Sequence, residues 1–288
     1  MTGITQTPTD WRKYIDEVFY AYQPKIKKLR TLFAEQQVDS AQTTLEYAKM
    51  TQTYAEARGY DGFDAGPELL ADGSSPRLSS FGTSDATSSP STHGRAFLID
   101  RKLLNSGLPF QQAEVARHSM ELMNVIENDV NVTLNTNLAS NAGQTYTATG
   151  GTWATTGDPV ADVQTAKTAF KKASGGLDAD FIAVNPSQLN DISTDFRFQN
   201  TLYSTGGKVL DGGTITPKPL GLDWIDDTAV TAGTFFMGKK GMFGRLLISE
   251  NYKTYQKDLG SVGMEMQAIF SYVDQYPLPN YLLYGTGV

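Results

Sequence analysis

The stretch that decides the fold is PFQQAEVARHSMELMNVIENDVNVTLNTNLASNA, residues 109–142. Its apolar side chains recur every three or four positions, which is the period of an amphipathic helix; they are Val115, Leu122, Met123, Ile126, Val130, Leu134 and Leu138. Such a helix spans about 45 Å at about 1.5 Å per residue, whereas a compact chain of this length has a radius of gyration of about 19 Å. The sequence therefore predicts a flattened or elongated protein built around one spine helix.

A unit of mixed helices and strands is predicted after the spine helix. The patterns indicate a helix at 160–172, a buried strand at 181–185, a short helix from Pro186, and strands at 234–238 and 242–249. Residues 265–273 largely alternate between apolar and polar side chains, which is typical of a half-exposed strand. The second half of the chain is thus predicted to combine α and β structure.

The residues before the spine helix differ in character. The pattern from residue 10 to about residue 36 predicts an amphipathic helix interrupted at Pro24. Residues 59–94 are rich in Gly, Ser, Thr, Asp and Pro and predict a loop, followed by a short strand at 96–99. A loop this long is either a disordered linker or an arm ordered by another subunit. Its scattered apolar residues favour the arm.

The composition excludes several classes of function. The 288 residues contain no cysteine, which excludes disulfides, thiolate nucleophiles, iron–sulfur clusters and cysteine-ligated zinc. The net charge of -7 argues against a surface that grips nucleic acid tightly. Residues 1–30 nevertheless carry six basic and three acidic side chains. They could dock on an acidic neighbour, or form a solvated helix face.

No group of residues in the sequence predicts an enzyme, a metal site or a cofactor. The two histidines, His93 and His118, lack the spacing to carboxylates that metal ligands have. Asp226-Asp227 and the pair Asp178 and Asp180 could bind a hard cation or act as acid and base, but acidic pairs are also typical of turns. No apolar run is long enough to cross a membrane, and no secretory signal is present. We therefore expect no catalytic residue, no metal, no cofactor and no membrane contact.

Three stretches carry a resemblance to a known family. They are HGRAFLIDRKLLNSG at 93–107, DFIAVNPSQLNDI at 180–192 and SVGMEMQAIFSYVDQYPLPNYLLYGTG at 261–287. Together with the order of elements, they resemble the major capsid proteins of tailed double-stranded DNA viruses, which share the Hong Kong 97-type shell fold. The resemblance implies an α+β fold with a long spine helix, an extended loop, an N-terminal arm, and peripheral and axial domains.

The resemblance also implies how the chain is divided. It gives an N-terminal arm with an amphipathic helix at 1–58, an extended loop at 59–107, the spine helix of the peripheral domain at 108–144, an axial domain at 145–255 and closing strands of the peripheral domain at 256–288. An arginine often present in the last strands is absent, since Tyr272 and Asp274 stand there. Nothing marks a lysine–asparagine cross-link, so covalent cross-linking of the shell is not predicted.

The implied function is assembly. Subunits would form pentamers and hexamers of an icosahedral head that encloses double-stranded DNA by non-specific contact, in a virion assembled in the host cytoplasm. Separate scaffolding, portal and decoration proteins are further expected partners. The predicted subunit-interface residues are Trp11, Phe19, Lys27, Lys28, Arg30, Leu69, Leu70, Leu78, Phe81 and Arg95. Two alternatives stay open: an encapsulin-like shell around protein cargo, and an α/β hydrolase or binding protein that uses Asp226-Asp227.

Overall fold

The computed structural model describes residues 15–18, 20–21, 28–38, 44–50, 83–102, 109–195 and 219–288. Its helices are α1 Pro109–Asn141, α2 Pro159–Ala173 and α3 Pro186–Ser193, with 3-10 turns at Leu29–Leu32, Pro219–Gly221 and Pro279–Tyr281. Its strands are β1 Ala34–Gln37, β2 Leu45–Met50, β3 Thr83–Ser88, β4 Ser91–Asp100, β5 Gln144–Thr147, β6 Phe181–Val184, β7 Asp223–Asp226, β8 Thr234–Gly238, β9 Arg245–Asp258, β10 Gly263–Gln275 and β11 Leu282–Thr286. The α+β class predicted from the sequence is confirmed.

Helix α1 is the predicted spine. It begins at Pro109 and runs for 33 residues, and all seven residues of the predicted apolar stripe are buried. Burying a large apolar side chain contributes roughly 1.5–3 kcal/mol, so the stripe fastens the helix to both sheets. The exposed side of the helix includes Val125 and Val132, and no lysine or arginine lies between Arg117 and Lys167.

A four-stranded sheet in the order β1-β9-β10-β4 packs on α1. Strand β10 is antiparallel to both β9 and β4, and β1 is parallel to β9. Alternate side chains of β10, from Met264 to Tyr272, are buried against the helix, as its period of two predicts. The opposite face of the sheet is more exposed.

The interpretation of residues 83–94 as loop is wrong. Strands β3 and β4 cover nearly all of this range, and β4 pairs with β10 over ten consecutive positions, from Ser91 opposite Tyr272 to Asp100 opposite Gly263. Backbone hydrogen bonds to a well-packed neighbour outweigh the low strand propensity of Ser, Gly and Asp. Residues 59–82 of the predicted loop lie outside the described residues.

Strands β2 and β3 form a separate two-stranded hairpin. They pair antiparallel over six positions, from Leu45 opposite Ser88 to Met50 opposite Thr83. Strand β3 leads into β4 through Ser89 and Pro90, so the hairpin extends from an edge strand of the four-stranded sheet. Residues 51–82 connect the ends of its two strands.

A five-stranded sheet in the order β5-β11-β8-β6-β7 forms the second body. Its strands alternate between two cores: Ile182, Val184 and Leu283 pack with residues of α2, and Phe181, Ala183 and Leu282 join the core of the spine helix. Helix α3 begins at Pro186 as predicted, and α2 begins one residue before the predicted position 160. Asp158 and Asn185 cap them through their side chains, and a proline follows each cap.

Two expectations about the chain differ from the structure. The helix predicted to run to about residue 36 does not do so, because Ala34–Gln37 is strand β1, hydrogen-bonded to β9. Strand β11, expected among the closing strands of the peripheral domain, pairs instead with β8 and β5 in the five-stranded sheet. The predicted boundary at 255 also falls within β9. The two sheets therefore share the last quarter of the chain.

Candidate assembly interface

The structure describes three of the ten predicted interface residues. They are Lys28, Arg30 and Arg95. The other seven, Trp11, Phe19, Lys27, Leu69, Leu70, Leu78 and Phe81, lie outside the described residues, and their role stays a prediction.

Arg30 lies inside the subunit, which corrects its predicted place at an interface. Its side chain has 0% exposure, Nη1 donates to Glu127 Oε2 at 3.0 Å, and Nη2 lies 3.1 Å from Glu35 Oε1. Its guanidinium carbon lies 4.1 Å from the centre of the Phe270 ring. A fully buried guanidinium with these partners has no surface left for a neighbouring subunit. The basic composition of the N-terminal segment gave no hint of this.

Glu127 is the buried acid of α1 that meets Arg30. The Tyr252 hydroxyl also donates to Glu127 Oε2, and burial together with the nearby Glu127 carboxylate raises the pKa of Tyr252 well above its usual range. Tyr252 has a φ of 49° and lies at a bulge in β9 where the pairing with β10 shifts register. A left-handed tyrosine costs about 1–2 kcal/mol. The bulge turns its ring inward, 5.1 Å from the ring of Phe270.

Lys28 and the Asp226-Asp227 pair meet at the end of β7. Lys28 Nζ donates to the Asp226 carbonyl oxygen at 2.7 Å and to Asp226 Oδ2 at 3.4 Å. The buried Asp227 carboxylate accepts hydrogen bonds from the backbone N–H groups of Leu29 and Ala229. Burial raises the pKa of Asp227. The acidic pair therefore binds Lys28 and Leu29 of the same subunit.

The second acidic pair is occupied by lysines. Lys171 Nζ lies 2.9 Å from Asp178 Oδ1, and Lys239 Nζ lies 3.2 Å from Asp180 Oδ2. The hydrogen bond from Lys171 lowers the pKa of Asp178. In the part of the chain that the structure describes, no three His, Asp or Glu side chains are grouped as metal ligands, and no helix there is long and apolar enough to span a membrane.

Arg95 remains accessible on the edge strand β4. Its guanidinium pairs with Asp129 of α1 at 3.1 Å while 56% of its side chain stays exposed. The neighbouring His93 ring stacks on Tyr272 with centres 5.9 Å apart, and burial lowers the pKa of His93. Arg95 can thus contact a neighbour without losing its support. His118 lies on α1 between Glu114 and Glu121.

Sequence reasoning missed the residues that fasten the two ends of the β2–β3 hairpin to the body. Lys49 Nζ donates to Asn141 Oδ1 at 3.1 Å, Gln275 Nε2 to Ser88 Oγ at 3.2 Å, and the Met50 N–H to the Pro277 carbonyl at 2.9 Å. These bonds join the hairpin to the end of α1 and to the end of β10. The dipeptide Ser89-Pro90 could have indicated the boundary between β3 and β4, because proline often marks the end of a strand.

Comparison with known proteins agrees with this geometry. The family model described as phage capsid protein matches residues 84–273, whereas no curated protein matches the sequence. The crystal structure of a virus-like particle from Pyrococcus furiosus is similar with a TM-score of 0.62 at 8% identity, covering 96% of this chain and 99% of that one. The mature capsid of bacteriophage PhiM1 gives a TM-score of 0.59 at 11% identity, over 89% and 86% of the two chains. The capsid of cyanophage P-SCSP1u gives 0.58 at 10% identity, over 91% and 88%.

The family model covers more than half of the chain, from the hairpin strand β3 to the end of the four-stranded sheet. The capsid structures share the fold over about nine-tenths of the chain. The chain belongs to the phage capsid protein family and has the Hong Kong 97-type shell fold of major capsid proteins.

Proposed function

We propose that the chain assembles into pentamers and hexamers that close into an icosahedral head around double-stranded DNA. The observation that carries the proposal is the β2–β3 hairpin, which is fastened to the body at Ser88 on one end and at Lys49 and Met50 on the other, and which leads to the 32 residues at 51–82. A two-stranded hairpin is marginally stable by itself. A neighbouring subunit would supply the surface on which these residues pack.

Charge supports a contact between neighbours. Residues 44–90 contain seven acidic and three basic side chains, whereas residues 1–29, which leave out the buried Arg30, contain three acidic and five basic ones. Opposite charges on two copies attract and orient them before close contact. Because the acidic and the basic patch differ, each copy presents its acidic patch to one neighbour and its basic patch to the other. Such head-to-tail contacts close into rings. Lys28 and Arg95 are the described residues that we place nearest these contacts.

The remaining partners follow from the same proposal. A net charge of -7 suits a container whose wall binds its DNA only weakly and without sequence preference, since each cationic contact would add salt-dependent affinity. Scaffolding, portal and decoration proteins would be separate chains, and assembly would take place in the host cytoplasm. No catalytic step is proposed.

The hairpin provides the direct test. We replace residues 51–82 with a short Gly-Ser turn and retain β2 and β3, because a deletion that reached residue 92 would remove paired strands. We expect native circular dichroism but no shells in negative-stain microscopy and light scattering. A second variant carries a Gly-Ser segment of the original length and separates loss of contacts from loss of length. Normal shells from both variants would refute the role of residues 51–82 in assembly.

A second candidate is an encapsulin-like shell that encloses protein. The similarity to the virus-like particle from Pyrococcus furiosus, which covers 99% of that chain, favours keeping this candidate. Purified shells decide between the two. DNA protected from nuclease supports the phage head, and a stoichiometric second protein without DNA supports the compartment.

A further inference from the structure

Residues 28–38, which we call the clasp, contact both sheets. On the five-stranded side, Lys28 binds Asp226 and the Leu29 N–H binds the Asp227 carboxylate. The Leu32 carbonyl accepts a hydrogen bond of 2.8 Å from the N–H of Gly241, in the turn between β8 and β9. The start of the clasp is therefore tied to the end of β7 and to the turn that links the two sheets.

The end of the clasp belongs to the four-stranded sheet. Strand β1 pairs with β9 from Ala34 opposite Arg245 to Gln37 opposite Ile248. Phe33 packs edge-on against Phe243 and Tyr276, with ring centres 5.0 and 5.8 Å apart. Within eleven residues the chain thus passes from one sheet to the other.

Arg30 ties the middle of the clasp to the spine. Its ion pair with Glu127 is fully buried, and its guanidinium covers Phe270 of β10. Removing one partner of a buried pair leaves the other charged in an apolar site, which is strongly unfavourable. A partial displacement of Arg30 from Glu127 would therefore be unfavourable.

We propose that the clasp fixes the position of the four-stranded sheet relative to the five-stranded sheet, and that releasing it lets the two sheets shift. The clasp continues the basic N-terminal segment, so whatever binds residues 1–27 is directly linked to this device. The inference concerns a single subunit, and its failure would leave the proposed function unaffected.

The absence of cysteine makes a clean test possible. Spin labels are attached at Lys172→Cys on α2 and Lys257→Cys on β9, which are both exposed. Double electron–electron resonance on unassembled subunits then measures the distance between the five-stranded and the four-stranded sheet. We expect one narrow distance population in the parent and a second population in Arg30→Met. The double change Arg30→Met with Glu127→Leu removes both charges, so it should restore the single population.

A milder variant keeps the test valid if Arg30→Met fails to fold. Lys28→Glu places a negative charge beside Asp226 and turns a half-exposed ion pair into a repulsive one. It should raise the population of the second distance about two- to fivefold, as expected for the loss of a surface ion pair. Adding Asp226→Lys should reverse the effect. Lys171→Ala breaks an ion pair within one body and should change nothing. A single unchanged population in both Arg30→Met and Lys28→Glu, with exposed amides at 29–37 in hydrogen exchange, would overturn the proposal.

Discussion

Asp162 shows how one buried carboxylate organises a loop. It accepts hydrogen bonds from Trp153 Nε1 and the Tyr146 hydroxyl, both at 3.0 Å. Burial, with a further contribution from Asp162, raises the pKa of Tyr146 to about 12. The three side chains fasten the loop between β5 and α2, which holds two glycines with positive φ, Gly150 and Gly151.

We predict that Asp162→Ala destabilises the subunit by about 1–3 kcal/mol, because it leaves the buried Trp153 Nε1–H without its acceptor and removes one partner of the half-buried Tyr146 hydroxyl. Urea unfolding measures the loss, and a red shift of tryptophan fluorescence reports exposure of Trp153. Asp178→Ala, at an exposed carboxylate, is the control and should unfold like the parent. An unshifted midpoint in Asp162→Ala would show that the loop does not depend on these bonds.

The buried Asp227 should make the stability of the subunit depend on pH. Its pKa is raised in the folded state, so its contribution to stability is fully present below the unfolded pKa of about 3.9 and is lost as pH rises through the folded pKa. Asp227→Asn does not titrate. Its stability relative to the parent should therefore increase from pH about 4 toward neutrality, measured by urea unfolding. The half-exposed Asp226→Asn is the matched control, and parallel curves for Asp227→Asn and parent would contradict the prediction.

Residue-scale roles were the hardest to predict from the sequence. Arg30 lies in a basic stretch, which suggested a surface contact, yet it is buried against Glu127, 97 positions away. Nothing local in the sequence marks that partner. The acidic pair Asp226-Asp227 was noticed, but only the fold shows that Lys28 and Leu29 occupy it.

At the scale of elements, α1 offers a matched pair of substitutions. Leu134 has 0% exposure and Val132 has 49%. Leu134→Ala should cost about 2–5 kcal/mol through loss of burial and the cavity it leaves, whereas Val132→Ala should stay within about 0.5 kcal/mol. Thermal or urea unfolding of the two variants measures the difference. Equal losses of stability in the two variants would mean that the buried stripe of α1 does not stabilise the subunit more than its exposed side.

Elements with their own signals were predicted well, and elements that depend on pairing were not. The stripe and Pro109 predict α1, and cap and proline together predict α2 and α3. Strand β1 is AEQQ and β3 is TSDATS, which carry neither apolar alternation nor strong strand propensity. Their conformation comes from the partners β9 and β2, which are distant in sequence or separated from them by residues 51–82.

At the scale of the whole molecule, assembly should depend on salt. If the acidic residues 44–90 of one copy meet the basic residues 1–29 of another, the attraction weakens as the Debye length falls from about 10 Å at about 0.1 M salt to about 3 Å at about 1 M. We expect the light scattering of assembling subunits to fall across this range. Lys13→Glu with Lys25→Glu should reduce assembly at low salt and flatten the salt response, and unchanged assembly would argue against the charge contact.

The spine helix also acts as a rigid arm. At about 1.5 Å per residue its 33 residues are about 50 Å long. Phe97 of β4 stacks on His118 in the first third of the helix, and Lys49 of the hairpin binds its final residue, Asn141. A rigid tilt of about 5° about one end moves the other by about 4 Å, more than the length of a hydrogen bond. An angular change too small to disturb the core could therefore make or break the contacts of a neighbouring subunit at the far end.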